Sequence, residues 1–147
     1  MGLIVQKYGG TSVADLDKIR NVARKVIRAK EEGNRIIVVL SAMAGETDRL
    51  IRMAKNAHPD PPGREYDALI ATGEQVTVTL LALVLNQMGH PARSFLGFQV
   101  RILTDPVHTK ARIKDIEKKA LESALNNGEI CVVAGFQGVD EKGDITT

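Results

Sequence analysis

The sequence predicts an α/β fold built on a mostly parallel sheet sandwiched by helices. Three observations carry this expectation. Ile36-Ile37-Val38-Val39-Leu40 and Ile130-Cys131-Val132-Val133-Ala134 are continuous apolar runs rich in β-branched residues. They read as strands buried on both faces, the habit of parallel sheets. Elsewhere apolar residues recur at steps of three and four, the spacing of a helix face. The two patterns alternate along the chain, and right-handed crossovers then gather the strands into one sheet.

Taken in order, Leu3-Ile4-Val5 opens a strand that ends near Tyr8, where Gly9-Gly10 breaks it. Leu16, Ile19, Ala23, Val26 and Ile27 mark one face of a helix between positions 14 and 30. Asp15 and Asp17 at its start, and Arg24, Lys25, Arg28 and Lys30 toward its end, suit the helix dipole. Gly33-Asn34 closes it. After the 36–40 strand, a helix is expected from about Glu46 to Asn56. Pro59, Pro61, Pro62 and Gly63 form a loop rather than a domain linker, because the apolar periodicity resumes at once. Positions 66–88 read as a deep helix, nearly all apolar in its second half, with Gly73 as an interruption. Short strands are expected at 91–95 and 100–103. Ile113, Ile116, Ala120, Leu121, Ala124 and Leu125 mark another helix face, ended by Asn127-Gly128. The 130–134 strand ends at Gly135.

Composition narrows the function classes. The 147 residues are 44% hydrophobic and 26% charged, an ordinary globular balance for one domain. There is no Trp, with two Tyr and three Phe, so the core must be aliphatic and base-stacking platforms are not expected. A net charge of +2 gives no polyanion-binding footprint, and no nucleic-acid partner is expected. The single cysteine, Cys131, excludes an internal disulfide and reads as a small buried hydrophobe. His58, His90 and His108 fall in no zinc spacing and are expected on the surface or in loops. The longest unbroken apolar run, 80–85, is too short for the ~30 Å of a bilayer core, so no membrane partner is expected. The N-terminus has no basic stretch before its apolar residues, and the cytoplasm is the default compartment.

Ligands of parallel sheets bind beyond the carboxyl ends of the strands. Three segments therefore matter: 7–12, 41–47 and 135–138. No Gly-x-Gly, Walker A or Gly-x-Ser-x-Gly pattern is present, which removes dinucleotide enzymes, P-loop NTPases and α/β-hydrolases as first choices. Lys7-Tyr8-Gly9-Gly10-Thr11-Ser12 has the parts of a phosphate cradle. Its two glycines admit positive φ and close backbone approach. Consecutive N–H groups make an anion nest, and the next helix adds its dipole. The same string also fits a plain tight turn with a hydroxyl cap and a solvated lysine.

Longer strings add a resemblance. Lys7-Tyr8-Gly9-Gly10-Thr11-Ser12-Val13 resembles the N-terminal signature of the aspartate kinases, members of the amino acid kinase family. Ser41-Ala42-Met43, Thr47-Asp48 and Thr72-Gly73-Glu74-Gln75 resemble that family's next blocks, in order. Val133-Ala134-Gly135-Phe136-Gln137-Gly138 and Gly143-Asp144-Ile145-Thr146-Thr147 resemble the blocks after those. Ordered blocks running from one end of the chain to the other are far more specific than any one of them.

The resemblance implies the N-terminal lobe of the amino acid kinase fold. It implies transfer of the γ-phosphoryl group of ATP, with Mg2+, to the side-chain carboxylate of L-aspartate, the first step toward lysine, threonine and methionine. Family members continue past Thr-Thr with a Leu-Gly-Arg-Gly-Gly-Ser-Asp segment, a nucleotide-binding half and usually ACT domains. Residues 1–147 are thus expected to be a truncated aspartate-binding part, inactive alone and prone to self-associate, with a parent that is a homodimer or larger. Lys7 is the expected catalytic cation, with Tyr8, Gly9, Gly10, Thr11 and Ser12 around the phosphates. Glu74 is expected to hold the substrate's α-ammonium group; otherwise it is an exposed helix glutamate or a cap partner of Thr72. Thr47 and Ser41 are expected to hydrogen-bond the substrate, or else to be a first-turn residue and a strand-end hydroxyl. Phe136 packs against aspartate or fills the core. No protein ligand set for a metal is expected. The competing readings are a kinase acting on glutamate, N-acetylglutamate or carbamate, and a non-catalytic binding lobe. The Thr47 and Glu74 blocks suit a free α-amino acid.

Overall fold

A computed structural model describes residues 2–147. The chain runs through β1 (Leu3–Tyr8), α1 (Leu16–Glu31), β2 (Arg35–Leu40), α2 (Glu46–Ala57), α3 (Gly63–Ile70), α4 (Thr72–Gln87) and β3 (Ala92–Phe95). It continues through β4 (Ile102–Thr104), β5 (Ile113–Ile116), α5 (Lys119–Asn126), β6 (Ile130–Ala134), β7 (Gly138–Val139) and β8 (Ile145–Thr146). The main sheet has the order β1-β2-β6-β3, and every neighbouring pair in it is parallel. This is the expected α/β architecture.

One face of that sheet is closed. Ile36, Val38 and Leu40 of β2 and Ile130, Val132 and Ala134 of β6 pack against Ile19, Val22, Ala23 and Val26 of α1 and Val78, Leu81 and Leu85 of α4. Each fully buried Val, Leu or Ile contributes roughly 1.5–3 kcal/mol. Asp15 caps α1, its carboxylate accepting from Lys18 N at 2.8 Å. The opposite face is covered at β3 and β6, where Phe95, Cys131 and Val133 meet Ala124 and Leu125 of α5. Burial pushes the Cys131 thiol up to about 11, as suits a packing residue.

Toward β1 and β2 that second face stays open. Val5, Lys7, Ile37 and Val39 line a cavity of about 670 Å³. The expectation that β2 is buried on both faces therefore holds for one face only; Ile37 and Val39 are half-buried. The far wall of the cavity is a second, mixed sheet of order β5-β4-β7-β8. Its β4–β5 and β7–β8 pairs are antiparallel, so strand and helix do not alternate throughout.

Here the periodicity misleads. Ile113 and Ile116 lie on strand β5, not on a helix, and the helix starts only at Lys119. Ile113 pairs with Thr104, Asp115 with Leu103 and Ile116 with Ile102, so Lys114 is an extra residue in the ladder. Such a bulge resets the side-chain alternation. Both isoleucines consequently line the cavity. A spacing of three marks one face of a bulged strand as well as one face of a helix.

The expected deep helix is α3 and α4 end to end. Its irregularity falls at Ala71, and Gly73 lies inside α4. A Cβ on Gly73 would sit 2.9 Å from Ala42 Cβ, so close packing, not flexibility, demands the glycine there. The combined 25-residue stretch Gly63–Gln87 is long and apolar enough, by length and composition, to cross a membrane. The 80–85 run understates it. Half of its most apolar window is buried inside the protein, where Val78, Leu81 and Leu85 close the core.

Candidate functional site at the carboxyl edge of the parallel sheet

β1, β2 and β6 release their loops side by side, and hydrogen bonds tie the exits together. Ser41 N donates to Tyr8 O at 3.2 Å, and Gly135 N donates to Leu40 O at 2.9 Å. α4 arrives at the same place, where Ala42 N donates to Glu74 Oε1 at 3.1 Å. A Cβ on Gly10 would lie 2.8 Å from Ala42 O. Ala42 is thus the meeting point of the 9–12, 41–47 and 72–75 segments. Gln137 binds the remaining exit: its Nε2 donates to Ala71 O at 2.9 Å and its Oε1 accepts from Gly97 N at 3.4 Å.

Glu74 is 2% exposed, which removes the exposed-glutamate reading. The cap reading also fails, because Thr72 Oγ1 donates to Leu69 O at 2.7 Å. Glu74 Oε2 is buried and has no hydrogen-bond partner. Burial raises the Glu74 carboxyl above its ordinary value, against the lowering effect of the Ala42 N–H. A buried unsatisfied oxygen costs about 1–3 kcal/mol, so its presence calls for an explanation. Ser41 and Thr47 are both half-buried at this edge. Thr47 stands in the first turn of α2, which has no side-chain cap and follows Gly45 at φ +79°.

The glycine turn differs from expectation in two ways. Gly9 has φ −80°, and Gly10 is not among the positive-φ glycines. What Gly10 provides is close approach to the Ala42 carbonyl, whereas a Cβ on Gly9 would meet nothing within 4 Å. Secondly, α1 does not present its N-terminus to this turn. A 3-10 turn over Gly10–Val13 intervenes, anchored by fully buried Val13, and Asp15 caps α1 itself. Thr11 and Ser12 are exposed on that turn. Lys7 is exposed and lines the cavity. Tyr8 alternates to the other face, packs against the core and donates its hydroxyl to Gln6 Oε1 at 3.1 Å.

Phe136 is 59% exposed, so it does not fill the core. Its φ of +61° is a left-handed conformation that bulky residues rarely adopt. Backbone strain of this kind concentrates at functional sites. Phe136 and Lys7 line the cavity, while Glu74, Ala42 and Gly10 close together at the ends of the strands. No Asp or Glu is among the cavity-lining residues, which include Lys7 and Lys110.

Among the described residues, one group of side chains has metal-capable spacing: His108, Asp140 and Asp144, with donor atoms within 4.8 Å of one another. Asp140 Oδ1 already accepts from Lys142 N and Asp144 N, each at 2.9 Å, and the Asp144 N–H holds its carboxyl below the usual range. Asp144 Oδ1 accepts from Arg64 Nε at 2.8 Å. These contacts organise the β7–β8 hairpin. His108 lies in a loop, as expected, and is half-buried against Asp67.

Glycine-rich loops at the carboxyl edge of parallel strands, next to a roomy cavity, define a small-molecule-binding α/β lobe. Residues 2–147 match the amino acid kinase family, and the chain belongs to it. It is 54% identical over 147 residues to the aspartokinase of Bacillus sp. (strain MGA3), covering 100% of this chain and 36% of that protein. It is 55% identical over 149 residues to the aspartate kinase of Pseudomonas fluorescens (strain SBW25), with the same coverage. The chain therefore spans 36% of the length of these curated relatives. Among solved structures, Synechocystis aspartate kinase superposes with a TM-score of 0.79 at 42% identity, over 99% of this chain and 23% of that one. E. coli aspartokinase III in complex with aspartate and ADP superposes with a TM-score of 0.87 over 99% of this chain and 43% of that one; at 23% identity this is a likeness of fold.

Proposed function

We propose that residues 1–147 are the N-terminal, aspartate-binding lobe of an ATP-dependent aspartate kinase. The parent protein would transfer the γ-phosphoryl group of ATP to the side-chain carboxylate of L-aspartate and release 4-phospho-L-aspartate, the entry to lysine, threonine and methionine synthesis. The observation that carries this reading is Glu74 Oε2, a buried oxygen without a donor where three loops meet. The α-ammonium group of an amino acid supplies that donor in a charge-assisted contact. Carbamate and N-acetylglutamate offer only a neutral N–H there, without the charge assistance of an ammonium, which favours aspartate over either. The 54% identity to an aspartokinase supports the same choice.

The chemistry follows from charge. A carboxylate with a pKa near ~4 is already ionised at neutral pH, so the nucleophile needs no base. The obstacle is an anion approaching an anionic phosphate, in a roughly in-line transfer. Lys7 supplies the cation at the cavity mouth and is the catalytic residue in this reading. The backbone of Tyr8, Gly9 and Gly10, with Thr11 and Ser12, surrounds the phosphates, and the open space over Gly9 lets them approach. Ser41 and Thr47 hydrogen-bond aspartate, and the exposed Phe136 ring packs against it. The cavity wall carries no carboxylate among the described residues, so protein ligands for a Mg2+ ion accompanying ATP would come from outside that wall.

In this reading the adenine site belongs to another part of the parent, and residues 1–147 alone turn nothing over. The parent works in the cytoplasm as a homodimer or larger, and the isolated lobe self-associates through its open sheet face. Calorimetry with L-aspartate tests the lobe directly. Binding that weakens by at least ~10-fold in Glu74→Gln is the expected result. A full-length protein that prefers a substrate lacking an α-amine would defeat the reading.

A further inference from the structure

Asp67 of α3 is completely buried, and nothing in the reaction described above uses it. Its carboxylate gathers two distant pieces of chain, the loop at His108–Thr109 and Thr147. Oδ2 accepts from Thr109 N at 2.9 Å, from Thr147 N at 3.0 Å and, with His108 Nδ1 as donor, from the imidazole at 3.0 Å. Oδ1 accepts from Thr147 Oγ1 at 2.6 Å and from Thr109 N at 3.2 Å. No other buried side chain among the described residues ties the 105–112 loop and position 147 to the helical layer in this way.

Thr109 shows what the node holds. It is a β-branched residue at φ +67°, a conformation that persists only where the surroundings over-determine it. The loop around it is pinned again at its ends. Asp105 Oδ1 accepts from Val107 N and Arg112 N, and Ala111 N donates to Thr147 O at 3.0 Å. Thr109, Lys110, Ala111 and Thr147 form part of the cavity wall across from Lys7. One buried carboxylate therefore sets the position of a wall that carries the cavity's second lysine.

We propose that Asp67 is a positioning residue. It latches the 107–111 loop and Thr147 so that the cationic cavity around Lys7 keeps the spacing phosphoryl transfer needs. This rests on the kinase reading above. Misplacing a wall by about 1 Å costs on the order of 100-fold in rate.

The test uses the full-length protein and Asp67→Asn, with two readouts. Amide hydrogen exchange at Thr109 and Thr147 should speed at least ~10-fold, while β1, β2 and β6 stay protected. The kcat/KM for aspartate should fall ~10–100-fold. Faster exchange with kcat/KM within about twofold of wild type would overturn the positioning role. Unchanged exchange would overturn the latch. A wild-type protein that does not phosphorylate aspartate would defeat the kinase reading, and the exchange result would still decide the latch. If Asp67→Asn does not fold, Thr147→Val removes a single hydroxyl donor. It should lower kcat/KM with native thermal unfolding, and Thr147→Ser should restore it. Equal activity in the valine and serine variants would count against the proposal.

Discussion

The two faces of the parallel sheet are built from the same β-branched strands and end up unlike. On the α1 and α4 side, apolar side chains interlock into a closed core. On the other side, α5 covers only β3 and β6, and β1 and β2 look into a cavity with two lysines. The closed face fixes the backbone of the carboxyl edge. The open face leaves room for charge. The contrast teaches that strand sequence alone does not set burial, since β2 alternates residues of similar hydrophobicity between a packed layer and a void.

The sharpest way to break this contrast is to truncate one residue on each face. Leu81→Ala, in the closed core, should cost about 2–5 kcal/mol in denaturant unfolding. Val5→Ala, 61% exposed on the open face, should change stability by less than about 0.5 kcal/mol. Comparable losses would show that the open face is packed after all.

Lys7→Met should leave the unfolding curve of the lobe within about 0.5 kcal/mol of wild type, since the lysine is exposed. In the full-length protein it should lower kcat by about 10²–10³. Retained turnover would remove Lys7 from the chemistry.

Glu74→Gln should weaken aspartate binding by about 1.5–3 kcal/mol, the range of a hydrogen bond to a charged group. Its effect on stability has the opposite sign. Burial raises the carboxyl, so the folded state holds the proton more tightly than the unfolded chain does. That stabilisation is complete below the ordinary value of 4.5 and is lost as pH rises through the higher folded value. Glutamine does not ionise, so at neutral pH the variant should unfold at a higher temperature than wild type. At equal concentration, bound aspartate should stabilise wild type more than the variant. A variant less stable than wild type at neutral pH would mean that Glu74 serves the fold.

The smallest effects separate the paired glycines. Gly10→Ala pushes a methyl to 2.8 Å from a carbonyl oxygen and should cost about 1–3 kcal/mol. Gly9→Ala meets open space at φ −80° and should be neutral or stabilising by about 0.4–1 kcal/mol. Any loss of activity at Gly9 is then a ligand effect.

The legible parts of this molecule were those written locally. β-Branched runs gave away β2 and β6, and the apolar stripe with Asp15 and Asp17 at its start gave away α1. The second sheet was illegible because its strands are two to four residues long and one carries a bulge that imitates helical spacing. The site divided the same way. Lys7, Glu74 and Phe136 stood out within short strings. Asp67 did not, because its partners lie 41 to 80 residues further along the chain. Ala42 was equally silent, since a methyl side chain announces nothing about the three segments that crowd against it.

Asp67 and Glu74 are seven residues apart on the nearly continuous helical stretch Gly63–Gln87. That is about two turns, or ~10 Å along the axis. The latch of the far wall and the carboxylate at the strand exits therefore ride on one rod. A movement of that stretch carried across the break at Ala71 would shift both anchors together, as a lever moves two loads.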